Sequence, residues 1–205
     1  MIGILDVDIG NLRSLSNAVY SLGYDFRMVS EPSQFEALSH LLIPGVGAYG
    51  TAMQRIEERG VRAAIVEFAA TGAPVLGICL GMQILSSWGE EGGRCEGLGI
   101  VPGRVVPLDP GNGLTLPHVG WNTARFSSVH PVLHQVKTER DFYFVHSYHF
   151  VCEDARHAIA TCDYGQSFNA IVASRNVLGF QFHPEKSQTN GLKLLENFCA
   201  WNGRC

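Results

Sequence analysis

Apolar positions in the first eighty residues alternate between short continuous runs and runs with helical spacing. The continuous runs, rich in strand-forming side chains, are residues 2–6, 25–29, 40–43 and 74–78. Helical spacing relates Leu12, Leu15, Val19 and Leu22, and a longer helical pattern over residues 51–70 is predicted to break near Gly60. Strands that alternate with helices are typical of βαβ units, so we expect a β-α-β-α-β-α-β-α order and a parallel sheet.

After residue 97 the pattern changes to short apolar segments separated by Gly, Pro and Asn. The predicted strands here are residues 105–106, 116–118, 142–146, 157–161 and 170–173. A buried strand at 177–182 and an amphipathic helix at 191–201 follow. The predicted fold is α/β, with a mostly parallel central sheet flanked by helices and an antiparallel extension, in a single domain over residues 1–205.

Composition and charge argue against nucleic-acid binding and against attachment to a membrane. The 205 residues are 46% hydrophobic and carry a net charge of −4. The 15 Lys and Arg residues are scattered, so no basic stripe favours nucleic acid. The N-terminus has no signal-peptide pattern and no apolar run is long enough to span a bilayer, so we expect a cytoplasmic protein.

Six cysteines are present, and one of them stands in a special context. The others, at irregular spacings without a Cys-x-x-Cys pair, indicate buried or inert thiols rather than disulfides or zinc ligands; they are Cys95, Cys152, Cys162, Cys199 and Cys205. Cys79 is the central residue of Gly-Ile-Cys-Leu-Gly at 77–81, between an apolar strand and a helix-forming segment. This is the layout of a nucleophile elbow, where the helix N-terminus favours the reactive thiolate.

A thiolate nucleophile needs a base, and the base needs a residue that orients it. His183 follows the predicted strand at 177–182, and Glu185 returns to the same side of an extended chain two residues later. A buried cysteine or a His-Pro-Glu turn is by itself more often structural. Together, at the ends of two strands, they predict a Cys79-His183-Glu185 triad.

Acyl transfer also requires hydrogen-bond donors for the oxyanion. The segment Pro-Gly-Val-Gly at 44–47 ends a predicted strand, so the backbone N–H groups of Val46 and Gly47 are candidates, together with that of Leu80. An ordinary strand-to-helix loop would have the same sequence character. This segment alone is weak support for catalysis.

Three blocks of the chain together resemble the triad-type, class I glutamine amidotransferases. They are residues 44–47, 77–83 and 181–187. Three further blocks, at 10–14, 117–122 and 144–148, resemble the branch of that family formed by the glutaminase subunits of imidazole glycerol phosphate synthases. The likeness runs in order through nearly the whole chain.

The resemblance implies hydrolysis of glutamine to glutamate and ammonia through a thioester on Cys79. It also implies glutamine binding by Gln83, Glu91, Ser147 and Tyr148. Ammonia would pass to a (β/α)8 cyclase subunit in a heterodimer, with these residues at the partner surface or the ammonia exit: Asn11, Trp121, Asn122 and Lys186. These four have an alternative interpretation as ordinary surface or packing residues. Neither the residues nor the resemblance calls for a cofactor or a metal.

Alternatives remain at the level of the sequence. The family usually has Asp-Tyr-Gly-x-Gly-Asn after its first strand, whereas Val7 and Asp8 replace Tyr-Gly here, close to the expected exit. One alternative partner is therefore a cyclase-like enzyme that aminates a nucleotide-linked sugar. A non-catalytic scaffold of the same fold is another alternative, although the presence of all three triad residues argues against it. A Cys-His peptidase acting on other γ-glutamyl bonds is a third, and the Pro-Gly-Val-Gly and His-x-Glu matches disfavour it.

Overall fold

The computed structural model of the protein describes residues 1–204, so Cys205 lies outside the described residues. The strands are β1 Ile2–Leu5, β2 Phe26–Val29, β3 His40–Gly45, β4 Val75–Cys79, β5 Trp88–Gly89, β6 Cys95–Glu96, β7 Gly103–Pro107, β8 His118–Phe126, β9 Arg140–His146, β10 Tyr148–Cys152, β11 Ala158–Tyr164, β12 Gln166–Ser174 and β13 Val177–Phe180. The α-helices are α1 Leu12–Ser21, α2 Tyr49–Glu58, α3 Arg62–Ala70, α4 Leu80–Gln83 and α5 Gln188–Ala200.

A nine-stranded mixed sheet forms the centre, in the order β2-β1-β3-β4-β13-β12-β11-β8-β9. Its first five strands pair in parallel, and the pairs from β13 to β9 are antiparallel. The predicted α/β class, with a parallel centre and an antiparallel extension, is confirmed. A separate four-stranded sheet, β10-β7-β5-β6, was not predicted, because two of its strands have only two residues each.

Apolar side chains fill both faces of β1, β3, β4 and β13, whereas the edge strand β2 is partly exposed. In β3, Leu42 belongs to a core cluster that includes residues of α1 and α5, whereas Leu41 and Ile43 belong to a cluster that includes residues of α2 and α3. Successive strand residues point to opposite faces, so a continuous apolar run is what a sheet covered on both sides requires. Because both faces of these strands are buried in the core, the positions of their carboxyl ends are fixed as well.

Several predicted elements differ from the structure in detail. No α-helix connects β2 to β3; this connection holds only a 3-10 turn at Pro32–Gln34, since ten residues between strands leave little room. The predicted break in the long helix is confirmed, because Gly60 has φ 65° between α2 and α3. Strand β8 begins at His118, not at 116, consistent with the lack of an N–H on Pro117. Over residues 1–204, no helix is long and apolar enough to cross a membrane.

Candidate active site

Three neighbouring parallel strands bring the predicted triad and the predicted oxyanion segment together. Strand β4 pairs with β3 on one side and with β13 on the other, with Gly45 opposite Cys79 and Phe180 opposite Ile78. The carboxyl ends of parallel strands meet at one edge of the sheet, which is where open α/β sheets bind ligands. The segment after β13 therefore enters the same cleft as Cys79.

Cys79 occupies a strained turn between β4 and α4. Its φ of 56° and ψ of −111° are rare for a residue with a side chain. Close backbone packing leaves room only for glycine around it: a Cβ on Gly81 would overlap the carbonyl of Ile43, and one on Gly45 would lie 2.8 Å from the Gly81 nitrogen. The elbow predicted from the sequence is thus present.

The helix after the elbow is shorter than the sequence indicated. Only Leu80–Gln83 are α-helical, so few peptide dipoles align behind the thiol. The electrostatic help expected from the helix N-terminus is correspondingly small. A side chain also brings charge to the Cys79 sulfur, because hydrogen bonding between His183 and Cys79 favours the charged imidazole.

His183 and Glu185 form a buried pair. The distance from His183 Nδ1 to Glu185 Oε1 is 3.0 Å, and the side chains are 5% and 3% exposed. A carboxylate can only accept, so Nδ1 carries the proton and Nε2 is left for the thiol. Burial disfavours the charged imidazole, but hydrogen bonding to Cys79 and Glu185 and their negative charges outweigh it and raise the pKa of His183 to about 9.

Ser187 holds this corner in place. Its hydroxyl donates to the carbonyl of His183 at 2.6 Å and accepts from the backbone N–H of Tyr143 at 3.0 Å, while the His183 N–H donates to the Tyr143 carbonyl at 2.9 Å. Ser187 is fully buried. The backbone of His183, which follows β13, is therefore also fixed to β9.

A cavity of about 240 Å³ opens beside Cys79. It is lined by all of the residues that the sequence analysis placed in the oxyanion and glutamine-binding sets: Val46, Gly47, Leu80, Gln83, Glu91, Ser147 and Tyr148. His183, Lys186 and His146 also contribute to the polar part of the wall. The structure thus brings these predicted residues together around the thiol.

Glu91 and Gln83 are held rigidly at this cavity. The Glu91 carboxylate accepts from the backbone N–H of Tyr49 at 2.7 Å, at the start of α2, where negative charge is favourable. The Gln83 amide nitrogen donates to the Tyr148 carbonyl at 2.9 Å and to Gln181 Oε1 at 3.1 Å. Both residues therefore have structural roles besides any contact with a ligand.

Val46 differs from the sequence expectation. Its backbone N–H donates to the carbonyl of Ile9 at 2.5 Å, so in this conformation it is not directed at the cavity. Leu80 is the first residue of α4, so its backbone N–H has no acceptor within the helix. One of the predicted oxyanion donors is thus occupied elsewhere, by the loop that carries the Val7 and Asp8 departure.

The four residues predicted at the partner surface or ammonia exit lie in different places. Lys186 lines the main cavity, and Asn11 lines a small cavity of about 10 Å³ behind His183 and Glu185 while also capping α1. Trp121 is 45% exposed and packs edge-on against Tyr143. Asn122 is outside the residues that line the main cavity, and its amide donates to the Asp163 carbonyl at 3.3 Å.

Two contacts of the Cys79 thiol and one further residue of the cavity wall were not predicted from the sequence. Cys79 Sγ lies 3.5 Å from the Val145 carbonyl and 3.9 Å from Gln181 Nε2, and His146 lines the cavity. Val145 and His146 belong to a block used for the resemblance, and Gln181 precedes His183 by two residues. Strand periodicity could have placed Gln181 on the His183 side.

Three of the remaining cysteines have thiols that burial keeps protonated. Burial raises the pKa of the Cys152, Cys162 and Cys199 thiols to about 12, with smaller contributions from nearby acids. A thiol that stays protonated is a poor nucleophile. This agrees with their interpretation as inert residues, and Cys205 lies outside the described residues.

Comparison with known proteins gives a family match and full-length relatives. A profile of the family described as glutamine amidotransferase class-I matches residues 4–201. "Imidazole glycerol phosphate synthase subunit HisH" of Sulfurimonas denitrificans is 46% identical over 204 residues, covering 98% of both chains. The protein of the same name from Desulfitobacterium hafniense is 46% identical over 201 residues, covering 98% of this chain and 94% of the relative.

Solved structures give the same fold at lower identity. A crystal structure of a glutamine amidotransferase has a TM-score of 0.76 at 20% identity, with 97% of each chain covered. The structure of PurLQS from Thermotoga maritima has a TM-score of 0.76 at 16% identity, again with 97% of each chain covered. At these identities the likeness concerns the fold.

Proposed function

The chain belongs to the class I glutamine amidotransferase family and is a glutaminase, and from this premise we propose that Cys79, His183 and Glu185 are its catalytic triad. The observation that carries the proposal is the buried His183-Glu185 pair at the strand end beside the strained Cys79 turn. Imidazolium beside a thiolate is the ground state of an activated cysteine nucleophile.

In the first half of the reaction, the Cys79 thiolate attacks the side-chain amide carbon of glutamine. The carbonyl oxygen becomes an oxyanion, and the Leu80 and Gly47 N–H groups are the candidate donors in the present conformation. The His183 imidazolium then donates its Nε2 proton to the leaving nitrogen. Ammonia departs and a γ-glutamyl thioester remains on Cys79.

In the second half, neutral His183 takes a proton from water as the water oxygen attacks the thioester. The second tetrahedral intermediate collapses, releasing glutamate and restoring the thiolate and imidazolium. Glu185 keeps the proton on Nδ1 throughout, so Nε2 always faces the reaction. Gln83, Glu91 and the backbone at Ser147 and Tyr148 hold the amino-acid end of glutamine.

Activation involves the Val46 peptide. In the present conformation its N–H is bonded to Ile9, and turning it towards the cavity would supply an additional oxyanion donor. One such donor contributes roughly 10²–10³ in kcat in other acyl-transfer enzymes. The isolated chain should therefore hydrolyse glutamine slowly and accelerate when a liganded partner reorganises this segment.

The proposed partner is the (β/α)8 cyclase that makes imidazole glycerol phosphate and an aminoimidazole carboxamide ribotide in histidine biosynthesis. Full-length relatives at 46% identity with the HisH name support this choice. Lys186, which lines the main cavity, and Asn11, which lines the small cavity beside His183 and Glu185, would border the ammonia exit, and Trp121 and Asn122 would belong to the partner surface. The Asp8 departure is compatible with this partner, because the Asp8 side chain is exposed to solvent and its charge is paired with Arg59 at 2.7 Å.

The deciding experiment mixes the chain with two candidate partners and measures glutamate production. The histidine-pathway cyclase with its nucleotide ligand should raise the glutaminase rate. A cyclase-like enzyme that aminates a nucleotide-linked sugar serves as the matched comparison and should leave the rate at its basal value. Stimulation by the sugar-aminating enzyme alone would reassign the pathway, and absence of glutaminase activity with every partner would favour a scaffold.

A further inference from the structure

Gln181 occupies a position that the mechanism above does not use. It follows β13, whose last paired residue Phe180 lies opposite Ile78, so the next residues along the two parallel strands are Gln181 and Cys79. The Gln181 side chain has no exposed surface. A fully buried amide must be hydrogen-bonded at both ends, because leaving either end unpaired is costly.

The orientation of this amide is fixed by its neighbours. The Tyr148 carbonyl can only accept, so the group of Gln83 that lies 2.9 Å from it is the NH2 group. The second hydrogen of the same NH2 group points at Gln181, 3.1 Å away, so the nearer atom of Gln181 is its oxygen. The NH2 group of Gln181 consequently faces the Cys79 sulfur at 3.9 Å.

His146 is a second hydrogen-bond donor to the same carbonyl. Its Nδ1 lies 2.9 Å from the Tyr148 carbonyl and so carries the proton, and its Nε2 accepts from His118 Nδ1 at 3.0 Å. Burial lowers the pKa of His146 to about 3, which keeps the imidazole neutral. The donors around Tyr148 therefore have one consistent arrangement, and it leaves Gln181 donating towards sulfur.

The two charge states of Cys79 use different neighbours. A neutral thiol can donate to the Val145 carbonyl, 3.5 Å away. A thiolate cannot donate, and the same carbonyl then repels it, whereas the Gln181 NH2 group attracts it. Resting on the proposed triad, we propose that Gln181 is a dedicated hydrogen-bond donor that stabilises the Cys79 thiolate against the thiol.

The proton balance of this step is simple. The Sγ–H bond of Cys79 breaks, the proton binds Nε2 of His183, and Gln181 keeps both protons of its NH2 group while one of them donates a hydrogen bond to the sulfur. Ionisable groups from several other elements also contribute to the electrostatic potential at the Cys79 sulfur. They are His183, Glu185, Lys186, Glu91, His146 and Tyr148.

The test is the pH dependence of Cys79 alkylation by iodoacetamide in the full-length chain. The rate is followed by mass spectrometry of the tryptic peptide spanning residues 63–94, in which Cys79 is the only cysteine. In Gln181→Met the midpoint for thiolate formation should rise by about one pH unit, which is about tenfold less thiolate at a given pH below it. Gln181→Asn keeps an amide but withdraws the donor, and should also raise the midpoint.

Gln166→Met is the matched control, because it removes a glutamine amide that lies 3.0 Å from His149 Nε2, in β10 of the other sheet, and does not contact the thiol. It should leave the midpoint unchanged. An unchanged midpoint in both Gln181 variants, or an equal loss of rate at every pH, would overturn the proposal and leave Gln181 with a packing role. The triad itself fails on a different result, namely that complete alkylation of Cys79 leaves glutaminase activity intact.

Discussion

His183 Nδ1 lies 3.0 Å from Glu185 Oε1, whereas the second oxygen of Glu185 is buried and has no hydrogen-bond partner among residues 1–204. The carboxylate charge is therefore available almost entirely to the imidazole. A buried carboxylate with one strong partner favours the charged form of that partner.

Removing this charge should move the alkaline limit of activity. The pKa of His183 is about 9 despite burial, because Cys79 and Glu185 stabilise the imidazolium. Glu185→Gln keeps the shape and loses the charge, so the folded-state pKa falls and the imidazolium is lost at lower pH. We expect the alkaline limb of kcat to move down by about one pH unit, measured by glutamate production against pH.

The control for this variant is Glu58→Gln, an exposed carboxylate in α2 paired with Arg55. Its pH profile should match that of the unmodified chain. An alkaline limb that stays in place in Glu185→Gln would show that Glu185 does not set the charge of His183.

Substitution of the nucleophile tests the triad directly. Cys79→Ala should abolish glutaminase activity and leave the circular dichroism spectrum unchanged, since the side chain is small and the turn is held by surrounding glycines. Cys95→Ala, which removes a half-buried thiol in β6, should retain activity. Ammonia release from the Cys79→Ala variant at a rate near that of the unmodified chain would rule out the assignment.

The packing of the elbow predicts an unusual sensitivity to one methyl group. Gly81→Ala places a Cβ on the Ile43 carbonyl, so β3 and α4 must separate, and we expect a loss of about 3 kcal/mol in unfolding free energy. Gly50→Ala in α2 has open space around its Cβ and should be neutral or stabilising by up to about 1 kcal/mol. Chemical denaturation of both variants measures the difference; equal stabilities would contradict the packing argument.

The Val46 N–H has two proposed partners, Ile9 at rest and the oxyanion during catalysis. Val46→Pro removes this donor, so stimulation of glutaminase by the cyclase partner should fall by roughly 10²–10³. Val46→Ala keeps the N–H and should remain stimulated. Partner binding is measured alongside by calorimetry; full stimulation of a proline variant that binds normally would exclude Val46 as an oxyanion donor.

Much of the fold follows from local pattern. Apolar runs covered on both sides by helices identify β1, β3 and β4 as buried parallel strands, because only a sheet with two covered faces requires uninterrupted apolar sequence. Gly60 marks the break between α2 and α3, because its positive φ is a conformation that glycine adopts without strain and that a helix does not contain. The two-residue strands β5 and β6 carry no periodicity of their own, and they form only through pairing with each other and with β7.

For the site, the sequence by itself determined the residue types: a cysteine between glycines after a strand, and a histidine and glutamate two residues apart after another. Tertiary structure decided which of these groups meet. The parallel register of β4 and β13 places Gln181 beside Cys79, and the loop before α1 holds the Val46 N–H away from the cavity. Such contacts depend on strand pairing and backbone direction between segments distant in sequence, which no local pattern encodes.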